Sequence, residues 1–510
     1  MPTTVILGAG IIGLSTAHSL TLLAPPEHRI HLVEPAPELF ASASGKAAGF
    51  VAKDWFAPAI APLGNLSFDL HRALADKHNG RARWGFSESI SYSLDHDDSL
   101  STTSADDPTD PSDTTAGDTK GGGGGEPERA SIDGQNVDDQ IPVSGRNGSQ
   151  GQGGLDWLLN NVSRATVVEG DVVEKAQSES TGANDGDDLP HWLRAKPEAL
   201  QLISDRKSTA QVLPRQLCEF LLEQCLAAGV TLHQPARATK VWRDEHDPAA
   251  VTRIRVEYLG PLAQTSDGRA RTVDIPCDSI VIAAGCWTPQ VYTTLFPNAN
   301  RIPRITHLAG YSVTFKSKYW PPVRLPANRE ALKGSAPNPP APSGPGAATT
   351  TSSSVSALVQ SNVCHAIFTN AGGFAPEIFS RANGDVWLGG LNPASTQLPE
   401  LPTDATLDPG EIERLLAVGR ALCGEDIDLR TEGLCFRPVS VTGRPIITRL
   451  HEADLGDGAK PGGHDGAGGV YVATGHGPWG ISLSLGTGRV VSEMVLGRET
   501  SADVSALMKW

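Results

Sequence analysis

Positive charge is scarce in this chain: 42 lysines and arginines stand against 58 aspartates and glutamates, for a net charge of -16 and a pI near 5.3. Nucleic acid and acidic membrane surfaces bind through clustered positive charge, so neither is expected as a general partner. No apolar run has the length of a membrane span. The seven cysteines, Cys218, Cys225, Cys277, Cys286, Cys364, Cys423 and Cys435, are an odd, scattered set without a CxxC pair. They read as reduced thiols in an intracellular, cytoplasmic protein. The N-terminal apolar run lacks the basic start of a secretory signal, and Asn65, Asn147 and Asn161 carry glycosylation patterns that mean nothing outside the secretory route. The C-terminal Met508-Lys509-Trp510 is not the peroxisomal tripeptide. Apolar residues make up only 39% while Gly 54 and Pro 38 are numerous, so part of the 510 residues is expected to stay without a packed core.

What is present is concentrated first between Met1 and Glu34. Val5-Ile6-Leu7 is an apolar run of strand type, Gly8-Ala9-Gly10-Ile11-Ile12-Gly13 follows without a gap, and Leu14 to Leu20 continues at helical spacing. This is a strand, a glycine turn and a helix, the pattern of a dinucleotide site. Gly8 allows the tight turn, Gly10 lets a pyrophosphate approach the backbone, and Gly13 lets the helix pack on the strand. The helix N-terminus favours the anion through unpaired N–H groups and its dipole. A second strand, Ile30 to Val33, ends in Glu34, about 20 residues beyond the last glycine, where a carboxylate meets a ribose.

Next come the small residues Ala41 to Val51, which let backbone approach a flat ligand or form an ordinary loop. Leu63 to His78 has the spacing of an amphipathic helix, and Trp84 to Leu94 begins a sheet. Residues 95–154 change to Asp, Ser, Thr, Gly and Pro, too polar to offset ordering entropy; order is expected to resume near Leu155. Leu213 to Ala228 is a helix closed by Gly229 and followed by the strand Val230 to His233. Ser279 to Ala283 is another strand ending in small residues, Ala284-Gly285-Cys286-Trp287. Arg301 to Lys318 and Cys364 to Leu391 read as strands around a second low-complexity insertion, 328–361. Leu407 to Leu422 is helical. At the far end, Gly469 to Thr474, the turn Gly475-His476-Gly477-Pro478-Trp479-Gly480 and the helix Ile481 to Leu496 repeat the opening unit. Two such units present two helix N-termini to one cofactor.

Five stretches in this order carry a resemblance to a known family: Gly8 to Gly13 with Glu34; Ser44 to Gly49; Ala283 to Thr288; Cys435-Phe436-Arg437-Pro438 with Gly443 to Ile447; and Thr474 to Gly480. Together they resemble the FAD-dependent D-amino-acid oxidase, glycine oxidase and sarcosine oxidase family, and within it a fungal branch linked to endosomal traffic. The resemblance implies an α/β protein with a discontinuous Rossmann-type FAD-binding domain and a mixed-sheet substrate domain, interrupted by disordered insertions. The expected division is FAD-binding 1–94, insertion 95–154, substrate 155–204, FAD-binding 205–300, substrate 301–430 with its insertion, and FAD-binding 431–510. Gly8, Gly10 and Gly13 would cradle the FAD diphosphate, Glu34 the ribose, and Ser44 and Gly49 the diphosphate and flavin. Gly285 and Trp287 would lie by the adenine side and pocket wall, with Gly475, Gly477, Trp479 and Gly480 under the pyrimidine edge.

Arg437 matches the family arginine that grips a substrate carboxylate, a task for a planar, permanently charged fork; otherwise it is a salt-bridged arginine. His476 is expected to donate to the flavin carbonyls or to cap its turn. Cys435 falls where sarcosine oxidases attach flavin through sulfur, or is an inert buried thiol. Lys46 or Lys53 would promote oxygen reduction or be solvated. The implied function is oxidation of a C–N bond in a carboxylate-bearing amine, by hydride transfer to flavin N5 with oxygen giving peroxide. A flavoprotein acting as a trafficking partner through the acidic insertion is the alternative. An NAD-dependent dehydrogenase would leave the segments around Arg437 and His476 unexplained. The partners expected are a small amine or amino acid, no nucleic acid, no membrane span, and a cytoplasmic place with endosome association.

Overall fold

Burial explains the opening strand. In a computed structural model that describes residues 1–94, 189–243, 251–320, 363–393, 395–456 and 468–510, β1 (Thr3–Leu7) is buried at all five positions, as a strand covered on both faces must be. It leads into helix α1 (Ile11–Leu23), and β2 (Arg29–Val33) returns beside it in parallel, Thr3 opposite Arg29 and Leu7 opposite Val33. The chain continues through β3 (Phe50–Ala52), α2 (Ala61–His78), β4 (Ser87–Leu94), β5 (Leu200–Ser204), β6 (Thr209–Gln211) and α3 (Pro214–Ala227). Then come β7 (Thr231–His233), β8 (Ala236–Arg243), β9 (Val251–Tyr258), β10 (Thr272–Pro276), β11 (Ser279–Ile282) and α4 (Thr288–Leu295). The last part holds β12 (Ile305–Ser317), β13 (Cys364–Thr369), β14 (Glu377–Ser380), β15 (Asp385–Leu391), α5 (Pro409–Cys423), β16 (Ile427–Ser440), β17 (Ile446–Arg449), β18 (Gly469–Thr474) and α6 (Gly480–Val495).

These strands form three sheets. The first has the order β17-β18-β11-β1-β2-β7; β11, β1, β2, β7 and β18 run parallel and β17 closes one edge antiparallel. Helices cover it, with α1 packed against both α6 and α3, and α2 against α6. A doubly wound Rossmann-type layer results. The second sheet, nine-stranded and mixed, follows the path β16-β12-β15-β14-β13-β4-β6-β3 with β5 beside β4. Only the β13–β4 pairing in it is parallel among the pairs named. A small sheet, β10-β9-β8, lies apart.

The fold is therefore α/β with two principal sheets, and the helices read from sequence are present as α2, α3, α5 and α6. β3, β4 and β6 run in the mixed sheet although they come from the stretches 1–94 and 205–300, because β6 pairs with β3 and β4 and β4 pairs with β13. The described residues all belong to one compact unit. The insertion read at 95–154, the restart near Leu155, the insertion 328–361 and most of the loop 456–469 lie outside the described residues. No helix among the described residues is long and apolar enough to cross a membrane.

Candidate functional site

The glycine turn after β1 is fixed by its own backbone. Gly8 has φ +105°, its N–H donates to Val33 O at 2.8 Å, and a Cβ there would stand 2.5 Å from Ala283 O. Only glycine fits. A Cβ on Gly13 would meet Gly8 O at 1.9 Å, so α1 can start this close to the strand only with glycine in its first turn. Leu14 N–H donates to Gly10 O, and no acidic side chain occupies the first turn of α1, leaving its positive end for another anion. Ile11 N–H is held by Ser44 Oγ at 2.9 Å, which ties the loop after β2 to the helix start.

Glu34 accepts from Ala9 N–H at 2.9 Å and Ala36 N–H at 3.0 Å. Burial raises its pKa, and the two backbone hydrogen bonds oppose that shift. At the other end, Gly475, Gly477 and the start of α6 follow β18, where α6 likewise has no acid in its first turn. Both helix starts face one cavity of about 720 Å³ between the two large sheets.

Of the residues expected at the site, Gly8, Gly10, Glu34, Ser44, Gly285, Arg437, His476, Gly477 and Gly480 line that cavity, with Cys435, Trp287 and Lys46. Gly13, Gly49, Gly475 and Trp479 do not; they stand behind its wall. Trp479 packs its ring edge-on against Phe56 at 5.0 Å and is a core residue. Lys53 is also outside, in an exposed pair with Asp69 at 2.7 Å. Lys46 is half-buried, and burial lowers its ammonium pKa against the opposing effect of Cys435 and Glu38. All seven cysteines are free and buried.

His476 is 3% exposed, with Nε2 at 3.0 Å from Thr487 Oγ1 and Nδ1 without a partner among the described residues. Burial pushes its pKa down to about 3, so the imidazole is neutral at ordinary pH. A buried orphan nitrogen on a cavity wall needs a polar partner. With the two acid-free helix starts and the glycine turn, it fits a dinucleotide with a polar ring.

The other end of the cavity is built on the mixed sheet. Ser312 lies opposite Gly433 on one side and Gly389 on the other, and Gly389 lies opposite Glu377. Gly310, Ser312, Trp387 and Glu377 line the cavity from this floor, and Glu377 is 7% exposed. Sequence reading did not single these four out. Their only local signal is period two: Gly310 and Ser312 on one strand, and Cys435 and Arg437 on its neighbour.

Arg437 donates from Nη1 to Asn392 Oδ1, and among the described residues no carboxylate pairs with it. Trp287 donates from Nε1 to Pro399 O at 2.9 Å, and His307 Nε2 stands 2.9 Å from Thr396 O. These contacts lay the stretch after β15 along the cavity rim, where Glu400, Leu401, Pro402 and Asp404 line it. Behind the loop, buried Arg381 donates from Nη2 to Ala47 O at 3.0 Å and Ala48 O at 2.9 Å.

The family profile described as FAD dependent oxidoreductase, DAO, matches residues 3–122 and 206–494. Among curated proteins, "Putative oxidoreductase C1F5.03c" of Schizosaccharomyces pombe is 23% identical, covering 99% of this chain and 96% of its own. "Putative oxidoreductase TDA3" of Saccharomyces cerevisiae is 23% identical, covering 99% and 93%. Among solved structures, glycine oxidase from Geobacillus kaustophilus superposes with a TM-score of 0.56 at 17% identity, covering 99% of this chain and 98% of that one. At that identity the likeness is one of fold.

Proposed function

This chain belongs to the FAD dependent oxidoreductase family, and on that footing we propose that it oxidises a C–N bond of a carboxylate-bearing amino acid or secondary amine. Its cofactor is FAD, which when bound supplies the acceptor for the hydride removed from the carbon beside nitrogen. In the overall reaction amine and oxygen give imine and hydrogen peroxide, and the imine hydrolyses in water.

Arg437 carries the reading. Its guanidinium lines a cavity without a carboxylate partner among the described residues, and a free guanidinium fork is complementary to a carboxylate. With the acid fixed there, the amine end lies over the part of the floor at Ser312, beyond the guanidinium that covers Gly310. Glu377 is buried on the same floor, and the amine lies there in its neutral form, since only a nitrogen lone pair can drive hydride from the neighbouring carbon. His476 stays neutral, so Nδ1 can donate or accept a hydrogen bond without adding charge. Gly8, Gly10, Ser44, Gly285, Gly477 and Gly480 form the cofactor wall, and Glu34 stands at its ribose end. Positioning of the two ends of the substrate then does most of the catalytic work.

The test is an absorption spectrum of the purified protein followed by anaerobic titration with D-amino acids, glycine, sarcosine, proline, pipecolate and glycated amino acids. Bleaching of the oxidised flavin band by one of them is the expected result. A bound flavin that none reduces would sink amine oxidation and favour a flavoprotein acting through a partner.

A further inference from the structure

We infer that Asn392 and Gly310 are positioning residues for Arg437, holding its guanidinium flat on the sheet with its charge left uncancelled for an anionic substrate group. The inference rests on the carboxylate-binding role proposed above for Arg437.

Arg437 lies on β16 opposite Leu308 of β12, two residues from Gly310 along the neighbouring strand. A Cβ on Gly310 would stand 2.4 Å from Arg437 Nη1 and 2.6 Å from both Cζ and Nη2. The whole guanidinium plane therefore rests on bare backbone, and any side chain at this position would lift it off. Its Nη1 donates to Asn392 Oδ1. The opposite end of that amide is also committed, because Asn392 Nδ2 donates to Gly390 O at 2.9 Å. With nitrogen spent on a carbonyl, the oxygen is the end presented to Arg437. Gly390 itself has to be glycine: it has φ +102° and a Cβ there would lie 2.1 Å from Ala375 O. The acceptor thus sits just past a strand end whose carbonyl holds its amide.

The residue type matters as much as the place. An aspartate here would form a charge-assisted fork with Arg437 and neutralise it. An amide oxygen fixes one edge of the guanidinium and leaves the net positive charge and the remaining donors to the cavity. Asn392 does not line the cavity itself, so its effect on a ligand passes through Arg437.

The experiment uses the flavin-loaded protein and the shift in its absorption spectrum on adding acetate, glycolate or benzoate, carboxylates that do not need to react. Arg437→Ala is the reference, and the melting temperature and flavin content of each variant are recorded. Asn392→Asp is expected to raise the dissociation constant for these anions about a hundredfold, and Asn392→Ala and Gly310→Ala about tenfold each. Flavin content should not change. In turnover the same variants should raise KM far more than they lower kcat. Carboxylate binding that is lost in Arg437→Ala yet indifferent to Asn392→Asp and Gly310→Ala would overturn the inference while leaving the role of Arg437 standing. Binding that survives Arg437→Ala would overturn both. Should Asn392→Asp fail to fold, Asn392→Ala and Gly310→Ala still test the positioning of the guanidinium, one by removing its acceptor and the other by lifting it from the sheet.

Discussion

His71 and His476 are held neutral in the folded chain, at about 4 and about 3, because burial penalises the imidazolium. Unfolded, each would titrate at about 6.5. Between those values the unfolded chain binds more protons than the folded one, so stability is full above about pH 6.5 and is lost as pH falls towards 4. At pH 5 each residue costs up to about 2 kcal/mol. Glu34, raised by burial, works in the opposite direction in the carboxylate range. His71 is the cleaner probe, since it stands outside the cavity, with Nε2 3.0 Å from Ile481 O. Replacing it with Gln should flatten the decline of melting temperature between pH 7 and pH 5. An unchanged slope would mean that other groups carry it.

At the scale of elements, the strand, turn and helix from Thr3 to Leu23 were legible because their determinants are local: an apolar run, glycines at fixed spacing, then helical periodicity. The same holds for β18 and α6. The floor around Glu377 was not legible, because it depends on register across β16, β12, β15 and β14, which no single stretch displays. Asn392 and Arg381 were hidden for a related reason, being ordinary polar residues at strand ends whose partners lie 45 and more than 330 positions away. Arg381 also explains how the loop before β3 is held. Its pKa falls only to about 10, so it stays charged at neutral pH, and it spends that charge on two loop carbonyls. Arg381→Met should leave both carbonyls unpaired, cost about 1–3 kcal/mol locally, and weaken FAD binding about tenfold in a fluorescence titration of the apoprotein. Unaltered FAD affinity would show that the loop is ordered without it.

For the molecule as a whole, the decisive contact is between its first and last long helices. A Cβ on Gly488 would lie 2.4 Å from the Ser15 carbonyl, and Ser492 Oγ donates to Thr16 O at 3.1 Å. That close crossing sets the angle at which α1 and α6 aim their N-termini into one cavity. Gly488→Ala should force the helices apart, costing about 1–3 kcal/mol by overpacking and lowering FAD affinity in parallel; loss of stability with FAD affinity intact would separate the crossing from the site. The crossing also has a consequence in time. Leu23 and Gly480, which end α1 and begin α6, are separated by more than 450 positions in the chain. At about 5–20 residues per second, a ribosome needs roughly 20–90 s to span that interval. Throughout it the side of α1 that meets α6 waits without its partner, although α3 can already pack on another side, and the second helix start of the cavity is missing until synthesis is almost finished.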